Sequence, residues 1–322
     1  MGRLIEENIR IRRFEVDHNF VGWRLDQFLA SRMDGMSRSL AAKVTKEGNI
    51  EVSPWRRVKA SMKLRLHDVV VLRHELPPEV VQDDETELLF EDDAVLVLNK
   101  PAGMLVHETA TARLNTVTHS LIRQGMDGAE PAHRLDRETS GALVCARRPE
   151  WVAPLRLRFA SEDPSKVYRA LVVDPKGIWE VGSRRRLEAP LGEDRSSSLP
   201  MKVGAGELSA VTHVEVLGRR AHPMGDLADL RIRIETGRQH QIRVHLFMEG
   251  TPIAGDKLYG KSDEFFMATC DRPDDPELLR ELHFPRHALH AGEIGITHPR
   301  TEERLKLRAP LPRIWEWEGE GS

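Results

Sequence analysis

Leu25, Phe28 and Leu29 stand at helical spacing behind Arg24 and Asp26, so the first apolar pattern in the chain predicts a short helix. Ser37 to Val44 predicts a second, with Ser37 as its N-cap and Gly48 ending it. Ile50 with Val52, Leu64 with Leu66, and Val69 to Leu72 read as short strands, which together make a small α+β module. The larger part opens on two apolar runs, Leu88 to Phe90 and Val95 to Leu98, around Asp92-Asp93, and predicts a hairpin. Lys100-Pro101-Ala102-Gly103 stops the second strand, residues 115–123 suit a helix, and Ala142 to Ala146 has the wholly apolar composition of a buried strand. Lys166 to Val173 and Val211 to Leu217 are further strands. Leu230 to Glu235 alternates apolar and charged residues, so one face is expected inside and the other in water. Gly237 breaks that strand, and a helix is expected from Arg238 to Met248, ended by Gly250.

At 322 residues the chain exceeds one average domain and predicts two. The composition breaks once, where Pro77-Pro78 blocks helix and the charges from Glu79 to Asp84 resist burial. Domains are expected at residues 1–78, with a core at 22–76, and at 88–316, joined by an acidic linker at 79–87. No run of about 18 apolar residues occurs, so no transmembrane helix is expected. The first 17 residues lack the apolar stretch of a secretory signal. Cys145 and Cys270 lie far apart in no metal-ligand spacing, which fits a reducing cytoplasm. The net charge of −3 says little, but its distribution says more. Residues 21–78 carry 11 Lys or Arg against 6 Asp or Glu, whereas residues 79–93 carry eight acids and no Lys or Arg. A basic segment in an acidic chain fits a phosphate-binding surface; an ordinary solvated face is the competing reading.

Three segments are too polar for their setting. His133-Arg134-Leu135-Asp136-Arg137-Glu138-Thr139-Ser140-Gly141 feeds directly into the apolar strand, a common place for catalytic groups and also for simple surface ion pairs. Thr236 to His245 is so rich in Arg, His and Gln that its helix is expected to bury one side only, through Ile242 and Leu246. Arg238, opening that helix, would meet phosphate at the positive helix end, while Arg243, beside Ile242, would be partly buried and need a carboxylate. His240 and His245 are five apart, which does not stack two ligands on one helical face, so zinc is not expected. Lys166-Val167-Tyr168-Arg169-Ala170 holds Tyr168, one of two tyrosines, whose plain reading is a core aromatic with a wet hydroxyl.

His133 to Asp136 followed by Thr139-Ser140-Gly141 resembles the active-site motif of the RluA-type RNA pseudouridine synthases. The other segments agree in the family's order. Lys100 to His107 looks like its entry motif, Lys166 to Ala170 its tyrosine strand, and Thr236 to Leu246 its arginine motif. Asp256 with Leu258-Tyr259-Gly260, and Arg286 to Ala291 with His298-Pro299, match its tail. The resemblance covers residues 88–310. Residues 1–78 resemble an S4-like RNA-binding module, through Arg24-Leu25-Asp26, Phe28-Leu29, Ser37-Arg38-Ser39, and Gly48 before Ile50-Glu51-Val52. His67-Asp68 stands where that module usually has Gly-Asp, and Ser53-Pro54-Trp55 replaces its Asn-Gly turn.

The resemblance implies an α+β fold, with a mixed, largely antiparallel central sheet flanked by helices and loops. It implies isomerisation of uridine in structured RNA, with Asp136 as nucleophile, Arg243 as its ionic partner, and Tyr168 stacking on uracil and moving a proton. Arg134, and more weakly His133, Arg137 and Arg238, are expected to contact the RNA left behind by a flipped uridine; Arg24, Arg38 and Lys43 would do so in the first module. The reaction exchanges only a proton with solvent, so no cofactor and no metal are expected. Ribosomal RNA is the expected partner and transfer RNA the alternative, for a monomer without membrane attachment. The competing functions are a catalytically silent RNA-binding protein of the same fold, and a nucleoside glycosidase, which would release free uracil.

Overall fold

The computed structural model describes residues 9–33, 38–54, 56–75, 86–109, 112–161, 164–223 and 225–315. The chain forms two compact units, Met1–Val80 and Val81–Ser322. The expected N-cap Ser37 and the Pro77-Pro78 break lie outside the described residues.

In the first unit, β1 (Ile9–Glu15), α1 (Leu25–Arg32), α2 (Arg38–Lys46), β2 (Ile50–Ser53) and β3 (Val69–Glu75) form an antiparallel sheet in the order β1-β3-β2 with two helices. Leu25, Phe28 and Leu29 of α1 meet Ala41 and Val44 of α2 and Ile50, Val52, Val70 and Leu72 of the sheet in one core. The strand expected at Leu64 to Leu66 does not form: Leu64 is buried, but only an isolated bridge from Lys63 to Arg24 stands there. The first strand, β1, has no clear signature in the sequence, since Ile9 to Glu15 interleaves too many arginines to show an apolar face. His67 carries a left-handed φ of 61°, which explains why glycine is the easier residue there. Asp68 beside it is buried, accepting from the Arg65 N–H at 2.7 Å and pairing with Arg56.

The second unit runs β4 (Glu87–Glu91), β5 (Val95–Lys100), α3 (Val117–Arg123), β6 (Glu130–Pro131), β7 (Ser140–Ala146), α4 (Val152–Ala160) and β8 (Ser165–Val173). It continues through β9 (Arg184–Glu188), β10 (Leu191–Glu193), β11 (Val203–Ala205), β12 (Val211–Arg220), β13 (Leu227–Ile234) and α5 (Gln241–Met248). It ends with α6 (Asp263–Asp271), α7 (Pro276–Leu282), β14 (Leu289–Thr297) and β15 (Arg304–Arg308). The main sheet has the order β4-β5-β7-β14-β8-β13-β12-β9, with β15 beside β14 and β6 beside β7. Among the described residues, β7 with β14 is its parallel pair and the other pairings are antiparallel. The expected fold class is therefore the observed one.

Strand alternation explains how the centre is covered on both faces. Leu96, Leu98, Leu143 and Cys145 point into one core with α3 and α5, while Val95, Val97, Ala142, Val144 and Ala146 point into another with Leu155 of α4. Such two-sided burial is what a wholly apolar strand requires. The hairpin is closed by Asp92, whose carboxylate accepts from the N–H groups of Ala94 and Val95, both at 2.8 Å. At the start of β7, Gly141 is obligatory: a Cβ there would lie 2.3 Å from the Ala291 carbonyl oxygen of parallel β14, and its φ is +114°. The helix expected from Arg238 starts three residues later, at Gln241, because His240 takes a left-handed backbone (φ 54°). Among the described residues no helix is long and apolar enough to cross a membrane.

Candidate active site

A cavity of about 590 Å³ opens where the loop before β7, the start of β8 and the turn before α5 converge. Arg134, Asp136, Lys166, Tyr168, Arg238, His240 and Arg243 all line it. The three segments that are too polar for their setting thus meet at one place, although they lie far apart in the sequence.

The loop carrying Asp136 is fastened from several sides. Lys100, fully buried, donates its ammonium to the carbonyls of Pro101 (2.8 Å), Met104 (2.7 Å) and Arg137 (3.1 Å). Burial pushes its pKa down to about 7, against the pull of the Asp136 charge. Arg286 donates to the Glu138 carbonyl and to Ser140 Oγ, both at 3.2 Å. His287 pairs with Thr139 Oγ1 and His290 with Ser140 Oγ, each at 2.9 Å. The tail residues therefore build the platform on which the loop rests.

Arg243 is buried and is the middle of an ion-pair chain. Its Nε and Nη2 bind Asp256 at 2.7 and 2.8 Å, and its Nη1 donates to Asp136 Oδ2 at 3.1 Å. The expected partner is present, but the stronger, two-pronged one is Asp256, which the sequence offered only as part of the tail. Asp256 is in turn held by the N–H groups of Leu258 and Tyr259. Burial pushes Asp136 upward, but His240, Arg243 and His287, all charged in the acid range where this carboxyl titrates, and the Arg243 hydrogen bond hold it below the usual range. Burial lowers the pKa of both histidines to about 4, so at neutral pH Arg243 is the standing cation.

Tyr168 is 8% exposed, opposite Ile232 on β13, in the main core and at the wall of the cavity. Burial and the Asp136 charge push the phenol above its ordinary pKa, so it keeps its proton at neutral pH. Lys166, two residues earlier on the same face, sits 5.3 Å from the Phe159 ring centre and is lowered by burial.

Arg134 and Arg137 are exposed, as an RNA contact requires. His133 also lines the cavity. Its Nε2 accepts the Val144 N–H at 3.0 Å, its ring stacks 4.4 Å from Phe159, and burial pushes it down to about 3. It is a neutral strut of the loop and offers no charge to RNA. Arg238 is exposed at the cavity, but it precedes the helix: its backbone N–H goes to Gln241 Oε1 and its Nε to the Ser209 carbonyl. The one-sided burial expected of α5 is corrected, since Gln241 to Leu246 are all buried. Gln241 and His245 are spent on Thr212 and on the carbonyls of Val211 and Ala189. In the first unit Arg24 and Arg38 both turn toward Asp26, remaining 44% and 58% exposed, while Lys43 is 72% exposed beside Glu47.

Known proteins resemble this chain in sequence and fold. The family described as RNA pseudouridylate synthase matches residues 94–247, a stretch that contains Asp136, Tyr168 and Arg243. Over 321 residues the chain is 34% identical to the ribosomal large subunit pseudouridine synthase D of Pseudomonas aeruginosa, covering 95% of this chain and 94% of that one. The chain belongs to the RluA-type RNA pseudouridine synthases. This RNA pseudouridine synthase is also 32% identical to the synthase D of Zymomonas mobilis, over 91% of its own length and 92% of that relative. In fold it is similar to human RNA pseudouridylate synthase domain containing 1, with a TM-score of 0.55 and 23% identity, over 73% of this chain and 86% of that one.

Removing the shared cation has two expected consequences in this synthase. Arg243→Met leaves Asp256, which has no exposed side-chain area, buried without its partner. A loss of about 3–5 kcal/mol is expected in urea unfolding at neutral pH. The Asp256 carboxyl lies well below the usual range in the wild type, so its stabilising contribution exists above the unfolded pKa and is lost in acid. The deficit should therefore shrink as pH falls and the orphaned carboxyl takes up a proton. An equal deficit at pH 3 and pH 7 would show that Asp256 does not need this partner.

Proposed function

We propose that this enzyme isomerises particular uridines of structured RNA, large-subunit ribosomal RNA first, with Asp136 as nucleophile and without a cofactor. The observation that carries the reading is the Asp136 carboxylate at the cavity, kept ionised by Arg243, which is itself fixed by Asp256. Asp136 would attack C1′ as the N-glycosidic bond breaks, in the manner of a glycosidase carboxylate. The detached uracil turns, C5 attacks C1′ in place of N1, the carboxylate is released, and the C5 proton goes to solvent. Tyr168 enters this sequence protonated, so its first task is to donate toward the departing uracil, and the phenolate so formed is the base through which the C5 proton then leaves, restoring the phenol; stacking holds the uracil while it turns. Arg134, at the cavity mouth, would fill the space left by the flipped nucleotide, and Arg137, Arg238 and Lys166 would meet backbone phosphate. The relatives named for ribosomal large-subunit modification support ribosomal RNA as substrate. Mapping pseudouridine in ribosomal and transfer RNA with and without this protein tests the assignment; sites lost only from transfer RNA would redirect it.

The first unit is proposed as an S4-like RNA anchor, supported by its two helices on a small sheet and the exposed Arg24, Arg38 and Lys43. Deleting residues 1–80 should leave single-turnover conversion of a short RNA intact while weakening affinity for a large ribosomal RNA fragment. The slope of log affinity against log salt should fall by about one for each phosphate no longer neutralised. Equal affinity and equal slope for the two proteins would remove the anchoring role.

A further inference from the structure

His240 lies between the two oxygen systems of the site and was given no task by its motif. Its side chain is 11% exposed, and its Nε2 lies 3.9 Å from Asp136 Oδ2. On the other side, its Nδ1 is 2.9 Å from the hydroxyl of Tyr259. That hydroxyl already accepts the N–H of Val203 at 3.1 Å. Tyr259 is itself buried, with its ring edge-on to His240 (5.7 Å, 81°) and the Arg243 guanidinium 5.0 Å from its centre.

The hydrogen bonds and the nearby carboxylate together favour one set of proton positions. The Tyr259 oxygen takes the Val203 N–H in one lone pair, and Nδ1 at 2.9 Å is an acceptor within reach of its own O–H. A neutral imidazole has one proton, so it then sits on Nε2, facing the carboxylate. The opposite tautomer would aim the Nε2 lone pair at a carboxylate oxygen, which is repulsive. Both donors near Asp136, Arg243 Nη1 and His240 Nε2, address Oδ2, and among the described residues Oδ1 has no donor.

Building on the reading of Asp136 as nucleophile, we propose that His240 is a positioning residue, locked by Tyr259 as the Nε2–H tautomer, which with Arg243 turns Oδ2 inward and leaves Oδ1 as the reacting oxygen. At 3.9 Å the imidazole is one small shift from hydrogen-bond range. His240 holds this place from a left-handed backbone (φ 54°) at the N-cap of α5. The charged groups facing His240 are Asp136 and Arg134 from the loop, Arg243 from α5 and Asp256 from the segment after it. Burial keeps it neutral at neutral pH, so it orients the carboxylate without adding a charge.

The test combines a tautomer measurement with kinetics on the full-length enzyme. Nitrogen-15 NMR of histidine-labelled protein at neutral pH should find His240 protonated on Nε2 and bare on Nδ1. Tyr259→Phe should raise the Nδ1–H population. Tyr259→Phe and His240→Phe should each lower the single-turnover rate about ten-fold, the scale of one hydrogen bond, with RNA affinity unchanged. In His240→Phe the acid limb of the pH–rate profile should also move upward, because Asp136 loses a donor; should that variant not fold, Tyr259→Phe carries the kinetic test. An Nδ1–H tautomer in the wild type, or wild-type rates in the folded variants while Asp136→Asn is inactive, overturns the positioning role alone. An active Asp136→Asn overturns the reading beneath it, whatever the tautomer.

Discussion

Asp136→Asn is expected to abolish pseudouridine formation, with tritium release from 5-tritiated uridine RNA falling by about 10⁴- to 10⁶-fold, the range seen when a covalent nucleophile is removed. The amide keeps the shape of the side chain and can still accept from Arg243 Nη1 through its oxygen. What it cannot supply is negative charge at C1′. The fold should survive, because the two-pronged bond from Arg243 to Asp256 does not involve Asp136. The loop is also held by Lys100, Arg286, His287 and His290 through atoms other than the Asp136 carboxylate. A wild-type urea midpoint and wild-type RNA affinity would separate lost chemistry from lost structure. Turnover near wild type would remove Asp136 from the catalytic role.

Tyr168→Phe is expected to lower the single-turnover rate by about 10²- to 10⁴-fold, the usual loss for one proton-transferring group, while leaving RNA affinity close to wild type. The phenol hydroxyl makes no hydrogen bond among the described residues, so phenylalanine leaves no orphaned partner in the core. The ring keeps its place opposite Ile232 and at the cavity wall, and stacking on a base uses the ring without the hydroxyl. Because burial and Asp136 keep the phenol protonated, the wild-type rate should show no basic limb from Tyr168 near neutral pH. If the variant loses affinity and keeps its rate, Tyr168 is a binding residue only.

Much of the framework is written in one-dimensional patterns. The wholly apolar run of β7, the alternation of β13 and the spacing of Leu25, Phe28 and Leu29 each depend on nearest neighbours along one element, so they read directly. The elements that differ from expectation share a cause. Leu64 is buried by the fold without pairing in a strand, and β1 forms because β3 offers a partner along its whole length. The polar face of α5 reads as a wet one, because Gln241 and His245 are residue types that usually meet water. Only the approach of β12 supplies the Thr212 hydroxyl and Val211 carbonyl that let them be buried.

The sequence by itself determined which residue types are candidates for the chemistry and in what order they come: a carboxylate in a charged loop, a tyrosine on a strand and an arginine beside an apolar residue. Tertiary structure decided what each polar side chain is spent on. His133 became a neutral strut, Lys100 and the tail histidines became fasteners of the loop, and Arg243 was shared between Asp256 and Asp136. The physical reason is that a buried polar group must find a partner, and the partners here come from segments far away along the chain. Sequence spacing fixes reach along one helix or strand; whether a charge is satisfied is settled across elements, by packing that no local pattern contains.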